Sequence, residues 1–212
     1  MRTWPLLLAL SLTTACTTTV DGTYKGEAWA DNWFSMSIGG ELVLEDSVSI
    51  TTERSFNAET WGFDATPPFL MSFVLKDFKE DDSGLEYIGE PNQQMGDGGF
   101  IAQITEQDTG EVVAVSDDGW RCLTVHRAPL DTGCEDSADP DTDCTSEVVA
   151  EPDGWQQDDY DDSGWAAATI WSAADVDPKD GYDQISWDPS AELIWGTDLE
   201  VDNTLLCRAW VQ

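Results

Sequence analysis

The chain has 212 residues, of which 41% are hydrophobic and 11 are tryptophan, enough apolar surface for a core and too much for wholesale disorder. Its 43 acidic residues against 9 basic ones give a net charge of −34, which argues against nucleic acid or an anionic membrane surface as partner. The acidity itself reads in two ways, as cation binding or as a heavily solvated surface.

The N-terminus carries a leader. Arg2 is a positive n-region, "PLLLALSL" (5–12) a short apolar segment, and Thr14-Ala15 small residues before Cys16. Residues 1–15 therefore read as an export signal, too short to span a bilayer as a stable helix. "LTTAC" resembles the bacterial lipobox, with Thr13 where leucine is usual. The resemblance implies a lipidated Cys16 as the sole membrane contact, on an outer-membrane or cell-surface lipoprotein; plain cleavage would give a secreted one. Residues 16–22 form a polar tether to one domain, 23–212.

Strand signals follow one another along that domain. In "WFSMSIGG", Phe34, Met36 and Ile38 alternate with serines up to a Gly-Gly turn. "ELVLEDSVSITT" continues with β-branched residues. "PPFLMSFVLKDF" is a dense apolar run after a breaker, as in a central strand. "GGFIAQITEQDTGEVVAV" is a hairpin with Asp108, Thr109 and Gly110 at its turn. "CLTVHRAP", "AELIWG" and "NTLLCRAWVQ" complete the set, and residues 130–154 form a long polar loop. Helical signal is confined to one turn in "SGWAAATIW", with Ser163 as cap. The pattern predicts an all-β antiparallel sandwich.

With Cys16 set aside, four cysteines remain, and an exported chain can pair them. The expected pairs are Cys134–Cys144, closing "CEDSADPDTDC", and Cys122–Cys207, tying two strands. Zinc lacks a CxxC pair and has only His126 to draw on, expected on a solvent-facing strand. Calcium requires about six to eight oxygens. Asp136, Asp139, Asp141 and Asp143 are the best local cluster, without an EF-hand pattern; Asp97 with Asp117 or Asp118 is a second. No nucleophile elbow or phosphate loop is present, so the chain is read as no enzyme, although 43 acids hide any glycosidase pair.

Tryptophan faces stack on pyranose rings. Most indoles here read as core; Trp61 and Trp120, each beside a glycine in a polar turn, read as exposed. "ADNWFSMSIGGELV", "GGFIAQI" with "VAVSDDGWRC", "YDDSGW" with "AAAT", and "AELIWG" with "LLCRAWV" together resemble the galactose-binding-like β-sandwich modules attached to glycoside hydrolases. The "DDSGW" piece falls later than usual, and Gly39-Gly40 replaces their Asn-Gly turn. The resemblance implies a jelly-roll sandwich and glycan binding, often with structural calcium, and no catalysis. Candidate contacts are Asp31, Asn32, Trp61, Asp97 and Trp120. A structural or protein-interaction module of the cell envelope is the alternative, and a carboxylate-pair glycosidase the second. "YDDSGWAAATIW" itself reads as a corner that Trp165 and Trp171 pin against the sandwich.

Overall fold

A computed structural model of the chain describes residues 20–51 and 56–212. The export signal, Cys16 and most of the tether lie outside the described residues.

Among the described residues, fifteen strands run in order: Tyr24–Asp31 (β1), Trp33–Ile38 (β2), Glu41–Glu45 (β3), Ala58–Phe63 (β4), Phe69–Lys76 (β5), Leu85–Glu86 (β6), Gln94–Met95 (β7), Gly99–Glu106 (β8), Val112–Val115 (β9), Arg121–Arg127 (β10), Glu147–Val148 (β11), Ala166–Ala167 (β12), Thr169–Trp171 (β13), Leu193–Trp195 (β14) and Asp202–Val211 (β15). Thirteen of them form two antiparallel sheets, and β6 and β7 pair with each other as a separate two-stranded one. The first has the order β13-β14-β8-β1-β4, with β9 also on β8; the second is β11-β10-β15-β5-β2-β3, with β12 also on β10. The predicted hairpin is β8–β9, turning at Gly110 with φ 74°. The run after Pro-Pro is β5, between β15 and β2. The strand read in "ELVLEDSVSITT" stops at Glu45.

The core lies between the sheets. Phe34, Trp61, Phe73, Phe100 and Trp120 touch ring to ring, with centroids 5.1–5.9 Å apart for Phe34–Trp61, Phe34–Phe100, Phe73–Phe100 and Phe73–Trp120. In β1, beyond Tyr24, which packs on Phe63 and Phe69, the residues facing this core are small: Gly26, Ala28 and Ala30 pair with Trp61, Ala102 and Phe100. A Cβ at position 26 would lie 2.3 Å from the Trp61 ring, so the indole needs the glycine beneath it.

Both outer faces are covered as well. On the first sheet, Trp29 donates to Phe56 and Asp180 carbonyls and meets Tyr182 edge-on, while Val176 packs against Gly99. On the second, Trp155, Trp165 and Tyr160 cover Val125, Leu206, Val74 and Leu123. This covering explains why so many tryptophans fit one small domain, and why β1 lacks a two-residue hydrophobic period.

Both expected disulfides form. Cys122–Cys207 joins directly paired residues of β10 and β15, and Cys134–Cys144 closes the acidic loop.

Candidate functional site

The structure separates the residues singled out as sugar contacts. Trp61 and Trp120 are 7% and 3% exposed and belong to the core, so neither ring face is open. Gly62 beside Trp61 marks close backbone packing against Asp21, whereas Gly119 beside Trp120 does lie in an exposed turn, from which the indole folds back into the core. Trp120 Nε1 donates to the Val115 carbonyl at 2.8 Å. Asp31, Asn32 and Asp97 gather elsewhere, at the ends of β1 and of the loop before β8. His126, expected to face solvent, is buried; its Nδ1 lies 2.9 Å from Asn203 Oδ1, and burial, then the Lys79 charge, holds its pKa below the ordinary value.

The acidic loop does not fold as an alternating ladder. Pro140–Asp143 forms one helical turn, Ser137 Oγ donates to Asp143 Oδ2 at 2.5 Å, and Asp136, Asp139, Asp141 and Asp143 all point to solvent. Among the described residues, no group of three His, Cys, Asp or Glu side chains stands ready to hold a metal. Asp117 serves its own turn, accepting from Gly119 N at 2.8 Å.

The stretch "YDDSGWAAATIW" is a corner, but of a different construction. Asp161, not Ser163, makes the cap, accepting Ser163 N at 3.0 Å. Trp165 packs with Trp155 and Tyr160 on the outer face of the second sheet, whereas Trp171, in β13 of the first sheet, donates to Gly196 O and packs against the larger hydrophobic cluster. The two indoles pin different faces.

The best open site is a groove of about 650 Å³ between β9 and the neighbouring ends of β10 and β15. Leu206, Arg208 and Trp210 point outward from β15, since Leu205, Cys207, Ala209 and Val211 fill the core. Trp210 is 43% exposed on this groove. Arg121 and Arg208 are cross-strand partners, two like charges side by side. Arg208 is buried and answered: it donates to Asp162 Oδ2 at 2.8 Å, Tyr160 O at 3.0 Å and Gln157 O at 2.9 Å, and stacks over the Tyr160 ring. Arg121 is exposed and makes no ion pair among the described residues. Asp117 and Asp188 complete the polar lining. Asp188 accepts from Ser190 Oγ and N, which hold its carboxyl below the usual range. An indole face, a free guanidinium and carboxylates suit a flat, hydroxyl-bearing ligand. The signal for Trp210 and Arg208 was present in "LLCRAWV": once Cys207 points inward, alternate residues must point outward.

At the ends of β1 and β5 lies a second polar cluster. Asp31, Asp77 and Glu86 are buried, and Asp97 is half-buried. Asn32 braces it, donating to Asp31 Oδ1 at 2.8 Å and accepting from Phe78 N at 2.5 Å. Burial, then the Asp97 charge, pushes the Asp31 pKa up to about 9, against the opposing pull of Lys179. Burial also lifts Asp77 well above the carboxylate range, with Asp31, Glu86 and Asp97 adding to it.

No protein-family model, curated protein or solved structure matches this chain. The sites are therefore read from their own chemistry.

Proposed function

We propose that this is an exported, non-catalytic carbohydrate-binding β-sandwich of the galactose-binding-like kind, with the groove at Trp210 as its sugar site. The observation that carries the reading is an exposed indole beside an unpaired guanidinium in a groove of about 650 Å³. That volume suits a small saccharide. Trp210 would stack on a ring, Arg121 would donate to its oxygens, and Asp117 and Asp188 would accept from its hydroxyls. The "LTTAC" segment supports delivery to the cell envelope with lipid on Cys16.

A glycan array tests the reading. Binding to at least one glycan is expected, falling about tenfold or more in Trp210→Ala and in Arg121→Ala. An array that stays blank with and without calcium, or binding that both variants retain, overturns it. One observation favours a second reading, a protein-docking module of the envelope. Leu130, Val148 and Val149 are exposed at 46%, 65% and 41% around the β11 edge. Capture of one envelope protein, lost in Val148→Glu and kept in Trp210→Ala, would favour that alternative.

A further inference from the structure

The cluster around Asp31 and Asp77 has no part in the groove, and its chemistry is incomplete. Asp77 is 2% exposed, yet neither of its carboxylate oxygens meets a hydrogen-bond donor; Asp31, at 1%, leaves Oδ2 without one. Two neighbouring donors serve other acceptors. Phe78 N–H goes to Asn32 Oδ1, and the Asn32 amide goes to Asp31 Oδ1. Asp77 is aimed at the loop between β7 and β8: a Cβ on Gly96 would lie 2.1 Å from its Oδ2, so only a bare backbone fits there, one residue before Asp97. Glu86 stands near enough to act on both aspartates, holding the Gln94 amide at 3.1 Å. Among the described residues, one cation faces these four acids: Lys179, 3.6 Å from Asp97 and shared with Asp177 at 3.3 Å.

Buried carboxylates without donors are stable only when a positive charge or a proton meets them. We propose that Asp31 and Asp77 form the heart of a site for a hard divalent cation, calcium in particular, with Glu86 and Asp97 beside it. The donor set is all oxygen, with neither thiol nor imidazole, which favours calcium or magnesium over zinc or copper. The surroundings are irregular and buried, and calcium tolerates such geometry where magnesium keeps its octahedral waters. The side chains do not already form a three-acid cage. The cation therefore rests on the aspartate pair, with main-chain oxygens and water completing its shell. Lys179 sits at the rim as a competing charge. This site is distinct from the disulfide loop and independent of the groove.

Calorimetry and thermal unfolding of the full chain, stripped with EDTA and titrated with CaCl2 or MgCl2, test the proposal. Calcium is expected to bind near one equivalent and to raise the melting temperature by about 5 °C or more at millimolar concentration, with a smaller effect of magnesium. Asp77→Asn and Asp31→Asn should each abolish the response. A double Asp139→Asn, Asp141→Asn variant in the exposed loop should keep it. Lys179→Met should bind calcium more tightly, a gain that misfolding cannot mimic. No heat and no shift in the wild-type chain would overturn the proposal and leave a proton shared between Asp31 and Asp77. Loss of the response in the loop variant alone would overturn it in favour of that loop.

Discussion

Two buried charges in this protein are treated in opposite ways. Arg208 is 2% exposed, and the 157–162 corner folds over it to supply a carboxylate, two carbonyls and an aromatic face. Asp77 is equally buried, and no donor meets either oxygen. Asp202 sides with the arginine: at 1% exposure it takes Arg127 Nε at 2.8 Å and Asp198 N at 3.1 Å. Asp46 stands between, with Val48 N–H at 2.9 Å on one oxygen and a pKa that burial still lifts to about 6. A charge answered from within the chain is part of the fold. One left unanswered depends on what the solution provides.

The sharpest way to break the comparison is at its answered end. Arg208→Ala should destabilise the domain by about 3–5 kcal/mol in urea unfolding, because it strips the corner of its anchor and leaves Asp162 unpaired. A loss under about 1 kcal/mol would mean that Trp155, Tyr160 and Trp165 hold the corner unaided.

Asp46 gives the next effect, with a defined sign. Its carboxyl ionises near 3.8 in the unfolded chain and near 6 in the folded one. Between those values the unfolded chain has released the proton that the folded chain keeps, so this group's contribution to stability falls as pH rises from about 4 to 6. The decline is roughly 3 kcal/mol at about 1.4 per pH unit. Asp46→Asn should flatten that slope relative to wild type in denaturant melts across the window; parallel curves would show that the site is more open to water than its burial indicates. Smallest is Asp162→Asn. Its amide oxygen still accepts from Arg208 and the two carbonyls remain, so a loss of about 1–2 kcal/mol is expected. A loss as large as that of Arg208→Ala would show that charge, not geometry, secures the corner.

The strand pattern and both disulfides were legible in the sequence, because alternation in Phe34, Met36 and Ile38 and the turn at Asp108–Gly110 are local signals. β1 was not legible. After Tyr24 its core face is only Gly26, Ala28 and Ala30, and the large Trp29 points the other way under Tyr182. The exposure expected of Trp61 and Trp120 failed for a related reason. Trp61 lies beside a glycine that the Asp21 backbone crowds, and Trp120 follows a true exposed turn but folds inward, and local sequence shows neither direction. Arg121 and Trp210 become neighbours only through the β10–β15 pairing, across nearly ninety positions of chain. Asp31 and Asp97 were picked out, but the acids near them, Asp77 just past β5 and Glu86 in β6, come from distant parts of the chain, a proximity that no spacing encodes.

The Cys122–Cys207 bond has one more consequence. It closes a ring across 85 positions, and the ring of Cys134–Cys144 sits wholly inside it. A single proteolytic nick anywhere from 123 to 206, including the long loop, opens a circle and releases nothing. Arg121 and Trp210 lie just outside the clasp on either side, so the groove's two banks stay tethered within a few residues of each other. A nicked molecule keeps its full mass until a reductant arrives.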